Sequence, residues 1–262
     1  VIIAFFIYLA YVSTGYYLRN DPIAIVFFSD WAAFVINGLM TLCLFYGARQ
    51  SMKVSRKIFI AWLMMALGQL CFTVGDGLWA WFETALNTNP FPSIADIAWV
   101  ATYVFFIAGI MLLPSAEINL RERIKIVLDT AIVIVTSSIV FWALILEPTI
   151  YQNLRSDLVA LTLILTYPVM DLILVFLVTE MLFRKLSFQG NEALKFLAMG
   201  AGIWVAADTV YLGQLLNETY QPGGILDSGW IAGYLLMGLV GIAQGEAVTK
   251  GAFNVTGDIE VR

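Results

Sequence analysis

The chain has 262 residues, 61% of them hydrophobic and 13% charged, with a net charge of −5 and a mean hydropathy of +0.86. A soluble domain carries about 45–50% apolar and about 25% charged residues, so the surplus apolar surface is expected to face lipid. Histidine is absent, which excludes bis-histidine haem, histidine metal sites and histidine-based triads.

Spanning a bilayer takes about 20 predominantly apolar residues. Eight runs approach that length, roughly 1–18, 24–48, 57–85, 94–115, 125–147, 158–184, 193–216 and 226–248. Polar and helix-breaking residues separate them: Asn20-Asp21-Pro22 after the first, Asn87 to Pro92 after the third, Pro222-Gly223-Gly224 before the last. Ser93 and Asp227 are expected to cap the fourth and eighth helices. Cys43 and Cys71 lie within apolar runs at no metal or disulfide spacing, and are expected to be buried packing residues. The chain starts inside an apolar run at Val1 without an initiating Met, as expected of a fragment.

Basic residues are sorted by connection. Arg49, Lys53, Arg56 and Lys57 lie in the second, Arg121, Arg123 and Lys125 in or beside the fourth, Arg184, Lys185 and Lys195 in the sixth, and Lys250 and Arg262 in the tail. The odd connections hold only Arg19 and Arg155, so twelve of the fourteen basic residues fall on one side. By the positive-inside rule that side is the cytoplasm, and both termini are expected there.

The third and fourth runs recur as the seventh and eighth. Ala66-Leu67-Gly68 precedes Asp76 as Ala198-Met199-Gly200 precedes Asp208, and an aromatic residue comes after each aspartate, Trp79 and Tyr211. Asp96-x-x-Trp99-x-x-x-Tyr103 returns as Asp227-x-x-Trp230-x-x-x-Tyr234. More weakly, Asn37 aligns with Asp171 and Arg49 with Arg184. Four spans separate the copies, so both run in the same direction. The expected fold is all-α and polytopic: eight transmembrane helices in two parallel four-helix repeats, 1–120 and 121–250, then a cytoplasmic tail or linker at 251–262.

In that topology Asp76, Asp96, Asp208 and Asp227 lie at one level towards the extracytoplasmic face. Asp96, Trp99 and Tyr103 share a helix face, as do Asp227, Trp230 and Tyr234, while Asp76 shares its face with Trp79 and Glu83. An ionisable group within the bilayer costs at least about 2.5–3.5 kcal/mol and is by default a functional position. Carboxylates ringed by tryptophan and tyrosine suit a cationic ligand, because ring faces attract cations. The expected ligand-binding set is therefore Asp76, Trp79, Asp96, Trp99, Tyr103, Asp208, Tyr211, Asp227, Trp230 and Tyr234. Pro168 and Asp171 mark an expected hinge in the sixth helix.

Structural roles remain open beside that reading. Asp96 and Asp227 can serve only as caps, the tryptophans and tyrosines can belong to interfacial belts, and Asp76 and Asp208 can join helices by hydrogen bonds. Asp30, Asn37 and Asp129 are expected to be structural. No lysine lies mid-span to carry a retinal, position 73 is threonine where an intramembrane aspartyl protease has glycine, and no phosphate loop or catalytic triad occurs. No enzymatic activity, cofactor, metal or nucleic-acid partner is expected of this membrane part.

Taken together, Gly75-Asp76-x-x-Trp79, Pro92-Ser93-x-Ala95-Asp96, Tyr167-Pro168-x-x-Asp171 and Asp227-x-Gly229-Trp230 resemble the N-terminal multi-pass membrane sensor modules of prokaryotic signalling proteins. Those modules precede diguanylate cyclases, phosphodiesterases or PAS-containing histidine kinases. The resemblance implies a plasma-membrane sensor passing a signal to a cytoplasmic output domain. The expected function is recognition of a small, cationic or polar ligand from outside. A small-solute or ion transporter and a structural assembly protein are the alternatives. Gly229-x-x-x-Gly233 has the spacing for close helix packing, within the chain or in a homodimer.

Overall fold

The computed structural model describes residues 1–88, 90–113, 120–143, 158–183, 192–217 and 219–251. Arg155, Arg184, Lys185 and Arg262, and all but the first residue of the 251–262 tail, lie outside the described residues. Among the described residues the regular structure is helical throughout: α1 (Ile2–Leu18), α2 (Pro22–Ser51), α3 (Arg56–Ala80), α4 (Ile94–Leu112), α5 (Leu120–Phe141), α6 (Leu158–Phe183), α7 (Glu192–Leu216) and α8 (Ile225–Thr249). A π-helical turn, Trp81–Ala85, extends α3. Six helices, α2, α3, α4, α6, α7 and α8, are long and apolar enough to cross a membrane. Helix α1 is apolar but only 17 residues long. Helix α5 is not among the six, and its first half carries Arg121, Glu122, Arg123, Lys125 and Asp129.

Helix starts obey local chemistry. Asp21 accepts the Ile23 and Ala24 N–H groups with Pro22 in the first turn of α2, and Ser55 caps α3. Ser93 caps α4 in a capping box whose reciprocal acceptor is Asp96. The expected cap at Asp227 is corrected: Gly224 occupies the cap position of α8. Asp227 lies within the first turn and reaches back to the Gly223 N–H at 2.6 Å.

Helix α2 lies between α3 and α8; α3 pairs with α4, α7 with α8, and α6 touches α4, α5 and α7. Helix α1 rests on α2 and α8. Leu42, Val74, Val104 and Met199 are exposed within their spans, whereas Asn37 and Gln69 are fully buried. That inversion suits lipid, which solvates apolar side chains but offers polar groups no partner. It also corrects the expectation for Cys43 and Cys71, which are half-buried free thiols. Lipid is as apolar as the bundle interior, so apolar character alone does not send a side chain inwards.

Helix α8 uses its glycines on two faces. Gly238, Gly241 and Gly245 face Met40, Cys43 and Tyr46 of α2; a Cβ on Gly241 would strike the Cys43 carbonyl, and one on Gly47 would strike the Gly241 backbone. The two helices thus meet backbone to backbone. Gly229 and Gly233 abut Ala207 and Trp204 of α7, so the Gly229-x-x-x-Gly233 pattern packs within the chain.

Candidate ligand-binding cavity

A cavity of about 440 Å³ opens inside the bundle. Its walls come from α1, α2, α3, α4, α6, α7 and α8, and at one end from Pro90 and Phe91 before α4 and Tyr220 and Pro222 before α8. All ten residues expected to form the ligand set line it, together with Pro168 and Asp171.

The two aspartates of the sequence repeat have matching surroundings. The Trp99 indole N–H donates to Asp76 Oδ1 at 3.1 Å, and the Trp230 indole N–H to Asp208 Oδ1 at 2.8 Å. The Trp79 ring lies 5.3 Å from that of Trp99, and Tyr211 lies 5.5 Å from Trp230. Gly75 makes the first pairing possible, because a Cβ there would overlap the Trp99 indole. These tryptophans point inwards at carboxylates, so the interfacial-belt role does not describe them.

The tyrosines cross between copies. Tyr103, from the first, places its hydroxyl 3.3 Å from Asp208 Oδ2 and donates to Asp171 Oδ1 at 2.7 Å. Tyr234, from the second, donates to Asp76 Oδ1 at 3.5 Å. Asn37 Nδ2 donates to Asp76 Oδ2 at 2.7 Å, and Gln69 Nε2 in turn donates to Asn37 Oδ1. Thr41 and Thr73 extend this buried polar row at 2.9 Å. Asn37 faces Asp76 and is not among the residues that line the cavity.

Asp96 and Asp227 combine anchoring with cavity contact. Asp96 accepts the Ser93 N–H through one oxygen and the Tyr167 hydroxyl, at 2.6 Å, through the other. Asp227 accepts Ser29 at 2.8 Å and Tyr220 at 3.2 Å, and Tyr11 stands 3.3 Å behind Ser29. Burial, reinforced by the Asp227 carboxylate, pushes the Tyr220 hydroxyl well above the usual tyrosine range, which keeps it a donor.

Sequence reasoning did not select Tyr11, Ser29, Asp30, Phe72, Glu83, Tyr167 and Tyr220, all of which line the cavity. Asp30, expected to be structural, has a buried Oδ2 with no hydrogen-bond partner among the described residues. Glu83 accepts the Trp79 indole N–H at 2.6 Å from within the π-helical turn. Seven carboxyl groups therefore line one space: Asp30, Asp76, Glu83, Asp96, Asp171, Asp208 and Asp227. Among the described residues no lysine or arginine joins them, and no group of three or more acidic or cysteine side chains converges as metal ligands.

No family model, no curated protein and no solved structure matches this chain. The fold and cavity still give a class: among the described residues the regular structure is all helical, with six helices long and apolar enough to cross a membrane around an acidic, aromatic-walled space.

Proposed function

We propose that this chain is an integral-membrane sensory domain that binds a small organic cation from the extracytoplasmic side and reports its occupancy to a cytoplasmic output domain. The observation that carries the reading is the cavity itself, with seven carboxyls, several aromatic faces and no basic side chain among the described residues. A cation supplies the missing charge, and the rings of Trp79, Trp99 and Trp230 supply surfaces that favour it. The volume suits a ligand of a few to about a dozen heavy atoms.

The topology proposed is eight spans in two parallel four-helix repeats, with α1 and α5 completing the six apolar helices and both termini cytoplasmic in the plasma membrane. Support comes from the matched Asp76–Trp99 and Asp208–Trp230 bonds and from the sorting of basic residues. The cavity then faces outwards, since the connections that close it carry no basic residue. Signalling requires two bundle packings that bind the ligand unequally, with α8 carrying the shift towards the output domain.

One observation favours transport as a second reading: Asp76, Asp171 and Asp208 face a single continuous space. A cavity lined by seven carboxyl groups speaks against a purely structural protein. Three cavity indoles provide the test. Adding n-butylammonium to the protein in nanodiscs is expected to change tryptophan emission saturably, whereas 1-butanol at the same concentration is not. Equal responses to both would remove the cation reading. Butylammonium flux into proteoliposomes, lost in Asp171→Asn, would select the transporter over the sensor.

A further inference from the structure

The two copies differ at one point of charge. Asp76 accepts hydrogen bonds from three groups, Asn37, Trp99 and Tyr234, and shares none of them with a second carboxylate. The residue aligned with Asn37 is Asp171. Where the first copy sets an amide beside Asp76, the second therefore sets a carboxyl near Asp208. The Tyr103 hydroxyl touches both, at 2.7 Å and 3.3 Å. A hydroxyl has one proton, so it satisfies one of these oxygens and leaves the other contact without a donor. Asp171 is only 2% exposed, lines the cavity, and its Oδ2 accepts no hydrogen bond from a described residue. The titratable groups that line the cavity with the pair, among them Asp76 on α3, Asp96 on α4, Tyr167 on α6, Tyr211 on α7 and Tyr234 on α8, include no basic residue among the described ones. Two buried carboxylates this close do not both stay charged without a counter-charge.

Resting on the cavity's reading as a cation site, we propose that Asp171, Tyr103 and Asp208 form a subsite for one positive charge, held by a proton when the cavity is empty and by the ammonium group of the ligand when it is filled. The exchange balances. A proton bound to the pair leaves to water as a primary ammonium enters, and the pair with its occupant keeps a net charge of −1. Asp76, held by its three donors, keeps its partners through the exchange, and Asp171 is the one that changes partner.

Infrared spectroscopy of the ligand-free protein, with n-butylammonium as the probe, tests both halves. The wild type is expected to show a protonated-carboxyl C=O band of which one component is missing in Asp171→Asn. Butylammonium is expected to remove that component, and its affinity to rise about tenfold per pH unit, the linkage of one released proton. In Asp171→Asn the affinity is expected to lose that one-proton slope. An amide is tolerated there, as Asn37 shows beside Asp76. If that variant nevertheless fails to fold, Tyr103→Phe, which removes the shared hydroxyl, serves instead and is expected to shift the same component. An identical band in wild type and both variants overturns the proton half. Butylammonium binding with no pH dependence overturns the exchange and leaves the cation cavity standing. Absence of butylammonium binding alongside the expected band overturns the exchange and the amine reading together.

Discussion

Gly241→Leu is expected to abolish the folded monomer. A side chain at this position has nowhere to go, because the first atom added already meets the Cys43 carbonyl and the Leu44 backbone nitrogen of α2. Backbone gives way far less than the end of a flexible side chain. Overpacking typically costs about 1–3 kcal/mol when side chains can shift, and this contact lies above that range, at roughly 3 kcal/mol or more. Because the obstruction is backbone on both sides, α2 and α8 cannot seat at their native separation. Their separation also takes Ser29 away from Asp227 and Gln244 away from Ser51. The control is Gly202→Leu on α7, where an added Cβ meets nothing within 4 Å. Melting followed by size-exclusion chromatography should show Gly202→Leu close to wild type and Gly241→Leu aggregated at all temperatures.

The double substitution Asp76→Asn/Asp208→Asn is expected to weaken binding of butylammonium by at least about a hundredfold, or roughly 3 kcal/mol. Each asparagine keeps a carbonyl oxygen for the Trp99 or Trp230 indole, so the cavity walls stay in place. What it removes is negative charge from a space that no lysine or arginine among the described residues lines. Folding suffers less than binding: the new amide at 76 points N–H groups towards Asn37, an unsatisfied contact that costs about 1–3 kcal/mol. A titration of tryptophan emission alongside a melting curve separates the two effects. Lost stability with unchanged affinity would return both aspartates to the role of helix-joining groups.

The repeat made much of this cavity legible before any coordinates. Asp76, Trp99, Asp208 and Trp230 could be paired by position, and helical spacing placed Tyr103 and Tyr234 on the faces of Trp99 and Trp230. That spacing says which side of a helix a residue occupies and nothing about what stands opposite. The crossing of Tyr103 to Asp208 and of Tyr234 to Asp76 therefore stayed hidden, and so did the inward turn of the tryptophans. Tyr11, Ser29 and Tyr167 escaped for a related reason. They lie outside the clearest part of the repeat, in helices whose outer faces are as apolar as their inner ones, so no amphipathic period marks an interior side. Asp30 and Glu83 were visible as charges in apolar runs, but only the π-helical turn after Ala80 and the packing of α2 on α3 bring them to one space. The helices themselves came from run length, with α1 and α5 falling short where the runs are shorter or carry charge. Asp227 was misplaced as a cap because its turn begins at Gly224, a residue with no side chain to advertise the position.

Native mass spectrometry of the protein released straight from membranes shows whether the acidic cavity holds a small cation. Wild type and Asp76→Asn/Asp208→Asn would be compared from the same expression host. The wild type is expected to carry an added mass that dissociates as a small, positively charged organic molecule and is absent from the double variant. A wild-type protein that carries no such adduct and also gains none on addition of butylammonium, while remaining folded, would contradict it.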